Sequence, residues 1–439
     1  MPSNIHILGA GLAGCEAAWQ LARRGFAVTL YEMKPRERSP AHHSDDFAEL
    51  VCSNSLRGAG LSTAPGLLKE EMRRMGGLIM EAADRAALPA GGALAVDRDV
   101  FSGYITERIR SHPRITVAEG RADTIPDGPC IIATGPLTDG ALACAIEALL
   151  GGAPLHFFDA AAPIVSFESI DQTVTFRASR YDKGTPDYIN CPMNQAQYTA
   201  FVAALSAAEE AEIHGFEDSA VFEGCMPVEV MARRGEDTLR FGPLKPVGLV
   251  SPHTGERPYA VVQLRAENAN GTAWNLVGFQ THLRHGEQKR VFSMIPGLEN
   301  AEFLRYGVMH RNSYIQAPGR LDAAFHLMGR EGIAFAGQIT GVEGYIESAA
   351  SGILCAVNMA RRLSGRPDFT LSARTAHGAL SAFVSGYTGR NFQPSNINFG
   401  LLEPLDTRVK DKRTRYEAIS ARALTELDAA IPTLMEDVL

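Results

Sequence analysis

The sequence predicts an α/β fold in which a parallel-sheet domain is interrupted by an inserted α+β domain. Three observations carry this expectation. The N-terminal stretch reads strand, glycine-rich turn, helix, strand. Two later apolar runs, CIIATGP (Cys130–Pro136) and GIAFAGQITG (Gly332–Gly341), each read as a buried strand that ends at glycine. Between them, from Ile164 to Arg320, strand-like runs such as PIVSFESI and YAVVQLRAE alternate with loops. The expected domains are therefore 1–163, 164–325 and 326–439, with the first and last forming one unit.

Taken in order, NIHIL (Asn4–Leu8) is a short apolar strand. CEAAWQLARRG (Cys15–Gly25) has apolar residues at helical spacing and a terminal glycine, and AVTLYE (Ala27–Glu32) is the next strand. PRERSPAHHSDDF (Pro35–Phe47) and ELVCSNSLRGAGLSTAPG (Glu49–Gly66) read as loops, since Ser, Gly, Asn and Pro favour turns. Amphipathic spacing predicts helices over Leu67–Asp84 and Val100–His112. A long helix is expected over Gly344–Gly365, and the tail from Asp406 reads as charged and helical.

Gly9, Gly11 and Gly14 satisfy G-x-G-x-x-G with a strand before and a helix after, which is the context the motif needs. The first glycine permits the tight turn, the second lets backbone approach a pyrophosphate, and the third lets helix and strand pack closely. The turn Gly9, Ala10, Gly11, Leu12, Ala13, Gly14 then presents helix N–H groups to phosphates, and Glu32 ends the next strand where a carboxylate binds ribose hydroxyls. This is a Rossmann-like dinucleotide site. Two features favour FAD over a nicotinamide. ATG (Ala133–Gly135) closes a buried strand, as in many flavoproteins with two dinucleotide domains, which nominates Thr134 and Gly135. AGQITGVEGYIES (Ala336–Ser348) is a strand, glycine turn and helix start of the kind such proteins place near the flavin, which nominates Gly337, Gln338 and Tyr345. Glu343 and Glu347 lie beside the same helix start and read equally well as favourable helix charges. No second G-x-G-x-x-G is present, so a nicotinamide reductant would visit only transiently.

Composition narrows the class. The chain has 439 residues, 45% hydrophobic and 21% charged, which suits a globular protein of two or three domains. Its net charge of −8 argues against a generic nucleic-acid binder. Charge is uneven, however: from Cys225 to Arg330 there are 13 Lys and Arg against 9 Asp and Glu. His253, His282, His285, His310 and His326 also fall in this basic middle. The seven cysteines (Cys15, Cys52, Cys130, Cys144, Cys191, Cys225 and Cys355) form no C-x-x-C pair, which argues against zinc and for reduced thiols in a cytoplasmic protein. No apolar run is long enough for a membrane span, and no signal peptide is expected.

The segments GAGLAG, ELVCSNSL, AVDRDVFS, EGCMPVEVMARRGEDTLRFGPLKPVGL, GEQKRVFSMIPGLENAEFLRYGVMHRNSYI and AGQITGVEGYIESAASG resemble the folate- and FAD-dependent tRNA (uracil-5-)-methyltransferase family across most of the chain. The block from Glu223 is far more specific than the dinucleotide motif. The resemblance implies C5 methylation of uridine 54 in the tRNA T-loop. The one-carbon unit would come from 5,10-methylenetetrahydrofolate, FAD would act as carrier and reductant, and NADH or NADPH would restore the flavin. Cys225 matches the family cysteine that attacks uracil C6, and Cys52 matches a second cysteine near the flavin. On the residues alone, a lone cysteine beside Met-Pro reads as a buried thiol, and Cys52 as a loop thiol.

Arg233, Arg234, Arg240 and Lys245 could lower the thiol pKa of Cys225 and grip phosphates, as could Lys289 and Arg290. Each also reads as a solvated or ion-paired side chain. His285, His310, Asn312 and Tyr345 are the candidates to meet folate, and His285 stands where many relatives carry a larger aromatic ring. Three rival readings remain open. One is the same chemistry on ribosomal RNA, another a flavin oxidoreductase acting on a small molecule, and the third a non-catalytic RNA-binding flavoprotein. The larger wobble-uridine enzyme family shares the AGQ-x-x-G-x-x-GY segment, but this chain lacks its added length and the Cys225 block argues against it.

Overall fold

A computed structural model describes residues 4–39, 41–151, 155–160, 162–182, 184–211, 226–266, 271–307, 309–388, 392, 394–436 and 438, with backbone alone at 155–160, 182 and 309–312. The first unit is a five-stranded sheet in the order Ile333–Phe335, Cys130–Ile132, Ile5–Leu8, Val28–Glu32, Ile115–Glu119. Every pairing is parallel, with His6 opposite both Thr29 and Cys130, and Cys130 opposite Ile333. Ile5, Ile7, Leu8, Cys130, Ile131 and Ile132 are fully buried, and the helices Leu12–Arg23 and Tyr345–Leu363 pack against this sheet. The first helix, Leu12–Arg23, begins three residues before the expected Cys15. The long helix, Tyr345–Leu363, lies against it so closely that a Cβ on Gly352 would sit 2.5 Å from the Ala13 carbonyl.

The helix expected over Leu67–Asp84 is two helices, Ala64–Arg74 and Leu78–Arg85. The break has a local cause. Gly76 takes φ +72°, and the buried Glu16 carboxylate accepts the Leu78 and Ile79 N–H groups at 3.2 and 2.9 Å, which caps a new helix there. The other expected helices form as Arg98–Arg110, capped by Asp97, and Tyr345–Leu363. Within the loop expected over Glu49–Gly66, Ser55–Gly58 forms a short strand antiparallel to Ala93–Val96.

The inserted unit is a six-stranded sheet in the order Phe176–Ala178, Tyr188–Met193, Ala260–Ala266, Ala273–Leu276, Ile164–Ser166, Phe303–Arg305. Its pairings are antiparallel. Helices Gln195–Ser206 and His285–Phe292 pack on it around a second core that includes Tyr198, Phe201, Phe279 and Phe292. The chain enters and leaves through an antiparallel pair, Leu155–Ala160 with Met309–Tyr314. Tyr314, Ile315, Ala317, Leu321 and Phe325 already pack in the first core, so the chain rejoins that core before residue 326. The tail forms the helix Lys412–Met435. Among the described residues no helix is long and apolar enough to cross a membrane.

Candidate functional site

The C-terminal ends of the parallel strands open into a cavity of about 500 Å3, a volume suited to a sizeable ligand. Leu8, Gly9, Glu32, Thr134 and Gly337 line it from the first unit, and Arg265, Asn275, Val277, Gly278 and Gln280 from the inserted sheet and the turn after it. The site is therefore a cleft between two cores.

At the glycine turn, Gly9, Ala10, Gly11, Leu12 and Ala13 face the cavity. Gly9 adopts φ +97°, and a Cβ there would lie 2.7 Å from the Ala133 carbonyl. A Cβ at Gly14 would lie 1.8 Å from the Gly9 carbonyl, so Gly14 serves by packing and does not line the cavity. At Gly11, by contrast, a Cβ would meet nothing within 4 Å, so the missing side chain leaves a cradle open to a ligand. The buried Glu32 carboxylate accepts the Ala10 and Lys34 N–H groups, both at 3.0 Å, which fixes it beside the turn. These residues fit a dinucleotide such as FAD: open backbone for the pyrophosphate, a helix N-terminus with no side-chain cap, and a fixed carboxylate for ribose. Thr134, Gly135, Gly337, Gln338 and Tyr345 line the rest of the same wall, with Gln338 Nε2 donating to Glu343 Oε2 at 2.7 Å.

Cys52 lines the cavity and is tied to Tyr345, whose Oη accepts the Cys52 N–H at 2.7 Å and the Ser53 N–H at 3.2 Å. Burial, then the neighbouring Cys52, pushes the Tyr345 phenol up, so it stays protonated at neutral pH. Cys15, Cys130, Cys191 and Cys355 are buried, and burial pushes all four thiols up, Cys130 to about 12. Cys144 is exposed away from the cavity. Among the described residues, Cys52 is thus the one cysteine of the cavity wall.

Sequence reasoning missed what holds the Cys52 loop. Three guanidinium groups converge on it. Arg98 donates to the Leu50 carbonyl and, at 3.3 Å, to the Cys52 carbonyl. Arg305 donates to the same Cys52 carbonyl at 3.1 Å. Arg265 donates to Asn54 Oδ1 at 3.0 Å and Ser53 Oγ at 2.6 Å. Arg265 and Arg305 belong to the inserted sheet, so they clasp a loop of the first unit. Arg265 alone left a sequence trace, a cation within the apolar run YAVVQLRAE. Behind the loop, Arg57 takes φ +61°, a conformation costly for a residue with a side chain, and pairs with the buried Glu347. Burial pushes the Glu347 carboxyl up, and Arg57 opposes that shift. Lys69 is fully buried and donates to the Leu56 and Gly58 carbonyls, both at 2.7 Å. Burial, reinforced by Arg57, pushes its ammonium down to about 7.

Of the expected substrate residues whose side chains are described, Tyr345 lines this cavity, and Arg233, Arg234, Lys245, His285, Lys289 and Arg290 do not. Arg233 pairs with Glu210 and donates to the Ser206 carbonyl at 3.1 Å. Arg240 pairs with Asp237 at 2.7 Å, and Arg290 with Glu287 at 2.6 Å. Arg234, Lys245 and Lys289 are exposed on the inserted unit and do not line the cavity. His285 is exposed too, stacked on Tyr306 with centroids 4.7 Å apart. His310 and Asn312 lie on the strand Met309–Tyr314, opposite Asp159 and Phe157, and their side chains are outside the described residues. Cys225 is also outside the described residues. The chain resumes at Met226, and the Val228 N–H donates at 2.8 Å to the carbonyl of Gln280, a cavity-lining residue.

Comparison with known proteins gives three findings. The family model described as "Glucose inhibited division protein A" matches residues 4–367. The methylenetetrahydrofolate–tRNA-(uracil-5-)-methyltransferase TrmFO of Lactobacillus acidophilus is 56% identical over 431 residues, 98% of each chain. That of Desulfitobacterium hafniense is 58% identical over 427 residues, covering 97% of this chain and 98% of the relative. Among solved structures, Aquifex aeolicus GidA superposes with a TM-score of 0.70 at 15% identity, over 99% of this chain and 75% of that one, a likeness of fold.

Proposed function

The chain belongs to the GIDA family and, with these relatives, to the methylenetetrahydrofolate–tRNA-(uracil-5-)-methyltransferase TrmFO family, and from that premise we propose that it methylates C5 of a tRNA uridine. The target is uridine 54 of the T-loop, the one-carbon source is 5,10-methylenetetrahydrofolate, and NADH or NADPH is the reductant. The observation that carries this reading is the cavity shared by two cores, where the glycine turn, Cys52 and Tyr345 line one continuous surface. Gly9–Ala13, Glu32, Thr134, Gly135, Gly337 and Gln338 would hold FAD. When bound, FAD supplies the carrier for the one-carbon unit and the hydride that completes the methyl group.

The protein's own task is to activate uracil, because its C5 is a poor nucleophile. The Cys225 thiolate adds to C6, and the C5=C6 electron pair moves onto C5 and O4 as an enolate. C5 then bonds to the one-carbon unit. Loss of the C5 proton to a base releases the unit from its carrier and leaves a methylene on C5. The hydride that FAD would supply adds to that methylene as the thiolate is expelled, which restores the C5=C6 bond. Reaching C6 requires the base to leave its stack. Cys52 is the second thiol, fixed by Tyr345 and the arginine clasp. The test is 5-methyluridine formation on unmodified tRNA by flavin-loaded protein supplied with methylenetetrahydrofolate and NADH or NADPH. Methylation by the parent and none by Cys225→Ala is expected. Methylation by both would move the nucleophile to Cys52. No product on tRNA, with product on ribosomal RNA or on neither, would overturn the reading.

A further inference from the structure

The segment Arg408–Arg415 holds five cations and one carboxylate in eight residues of a chain whose net charge is −8. The carboxylate, Asp411, is occupied locally. It accepts the Thr414 N–H at 2.8 Å and the Thr414 hydroxyl at 2.7 Å, capping the helix Lys412–Met435. Arg413 pairs with Glu417 one turn on, at 2.8 Å. Among the described residues, Arg408, Lys410, Lys412 and Arg415 have no carboxylate partner. An ordinary solvated helix face mixes its signs, as Arg413 and Glu417 do. This segment instead concentrates one sign.

The cations also share a shape. Arg408, Lys410 and Arg415 line a shallow hollow of about 490 Å3 together with one carboxylate, Asp406, which pairs with Arg374 at 3.8 Å. Lys412 and Arg415 lie 5.6 and 5.4 Å from the centroid of the Tyr416 ring, which stacks on Phe399 with centroids 4.2 Å apart. The hollow and the adjoining Tyr416–Phe399 stack thus place cations beside aromatic rings, a combination that suits a phosphate backbone with adjacent bases. The Tyr416–Phe399 stack connects this run through the chain to a residue of the first cavity. Asn396 lines that cavity, and the Ile397 N–H is held by Glu347 Oε1 at 2.9 Å. Phe399 follows Asn396 by three residues, a span of about 11 Å at most. On the inserted unit, by contrast, Arg233, Arg240, Arg284 and Arg290 are paired with carboxylates, and the exposed Lys245 and Lys289 stand far apart in sequence.

We infer that Arg408, Lys410, Lys412 and Arg415 form an anchoring surface for the sugar–phosphate backbone of the RNA whose target base enters the cavity. This rests on the function proposed above. The surface contributes affinity and orientation without base readout, so it acts on binding and leaves the chemical step alone.

The test compares the flavin-loaded parent with R408A/K410A/K412A/R415A and with the charge-retaining R408K/R415K. Affinity for unmodified tRNA is measured across a salt series, and methylation kinetics are measured in parallel. The fourfold variant is expected to bind tRNA roughly tenfold or more weakly, with a log–log salt slope shallower by about 2 to 4. Its KM for tRNA rises, its kcat stays within about twofold, and R408K/R415K behaves like the parent. An unchanged affinity and slope in the fourfold variant, beside an active parent, would overturn the anchoring surface alone. So would a variant that binds tRNA normally but loses binding to phosphatidylserine vesicles or to an acidic peptide. A parent that binds no tRNA would overturn both the surface and the proposed function.

Discussion

Around the glycine turn the first unit meets the cavity with backbone, while the opposite wall reaches into the site with side chains. On the first side, Gly9, Gly11 and Gly14 work through missing Cβ atoms and turn geometry, and Glu32 is fixed by main-chain N–H groups. On the other side, Arg265 and Arg305 cross the cleft to clasp the Cys52 loop. A backbone wall tolerates little atomic change but depends weakly on charge or pH. A side-chain wall holds its geometry through charged hydrogen bonds, each contributing about 1.5–3 kcal/mol, so it should respond to single-residue changes in a graded way.

The largest expected effect lies on the backbone side. Gly14→Val puts side-chain atoms into the Gly9 carbonyl and should cost about 3 kcal/mol or more. The purified variant should carry little flavin and melt well below the parent. A normal flavin content would break the contrast between the walls. Next comes Lys69, whose folded pKa of about 7 lies below its ordinary value of 10.5. The unfolded chain then binds more protons than the folded one between those values, so this residue makes stability rise with pH across that window, by up to about 1.4 kcal/mol per unit. Denaturant titrations of the parent and of Lys69→Met at pH 7, 8 and 9 should show that slope in the parent alone. The smallest effect sharpens the comparison within the inserted unit. Arg265→Ala should lower kcat about tenfold or more with flavin retained, since it frees the Ser53–Asn54 end of the Cys52 loop. Arg290→Ala, which removes an exposed pair with Glu287, should change kcat and stability within about twofold and 0.5 kcal/mol. Equal losses in the two variants would remove the special standing of Arg265.

The same division explains what could be read in advance. Gly9–Gly14 and Glu32 were legible because their chemistry is local: strand, turn, helix and acid lie within about thirty residues, and the turn needs no distant partner. The break at Gly76–Gly77 escaped because helical periodicity continues through it, and the Glu16 cap comes from sixty residues away. The positive balance of the middle segment was visible as a count. Pairing of Arg290 with Glu287 was among the local readings, but the pairings of Arg233 with Glu210 and of Arg240 with Asp237 were not. Arg98, Arg265 and Arg305 meet at one loop from three separate elements, and no spacing rule announces such a meeting. In the C-terminal run the charge was plain, but its excess over local carboxylates became clear only once Asp411 was seen as a helix cap.

The strand Ile333–Phe335 closes the edge of the parallel sheet, and the helix that follows it completes the cavity. During synthesis the inserted sheet, finished at Arg305, leaves the ribosome before that closing strand emerges. At translation rates of about 5–20 residues per second, the partly built sheet waits roughly 10 to 40 seconds between its Cys130–Ile132 strand and the partner strand Ile333–Phe335. For that time its apolar Cys130–Ile132 edge has no neighbour on one side. Nascent chains halted before Ile333 should therefore be the ones that engage chaperones, and flavin uptake should begin only after the long helix has emerged.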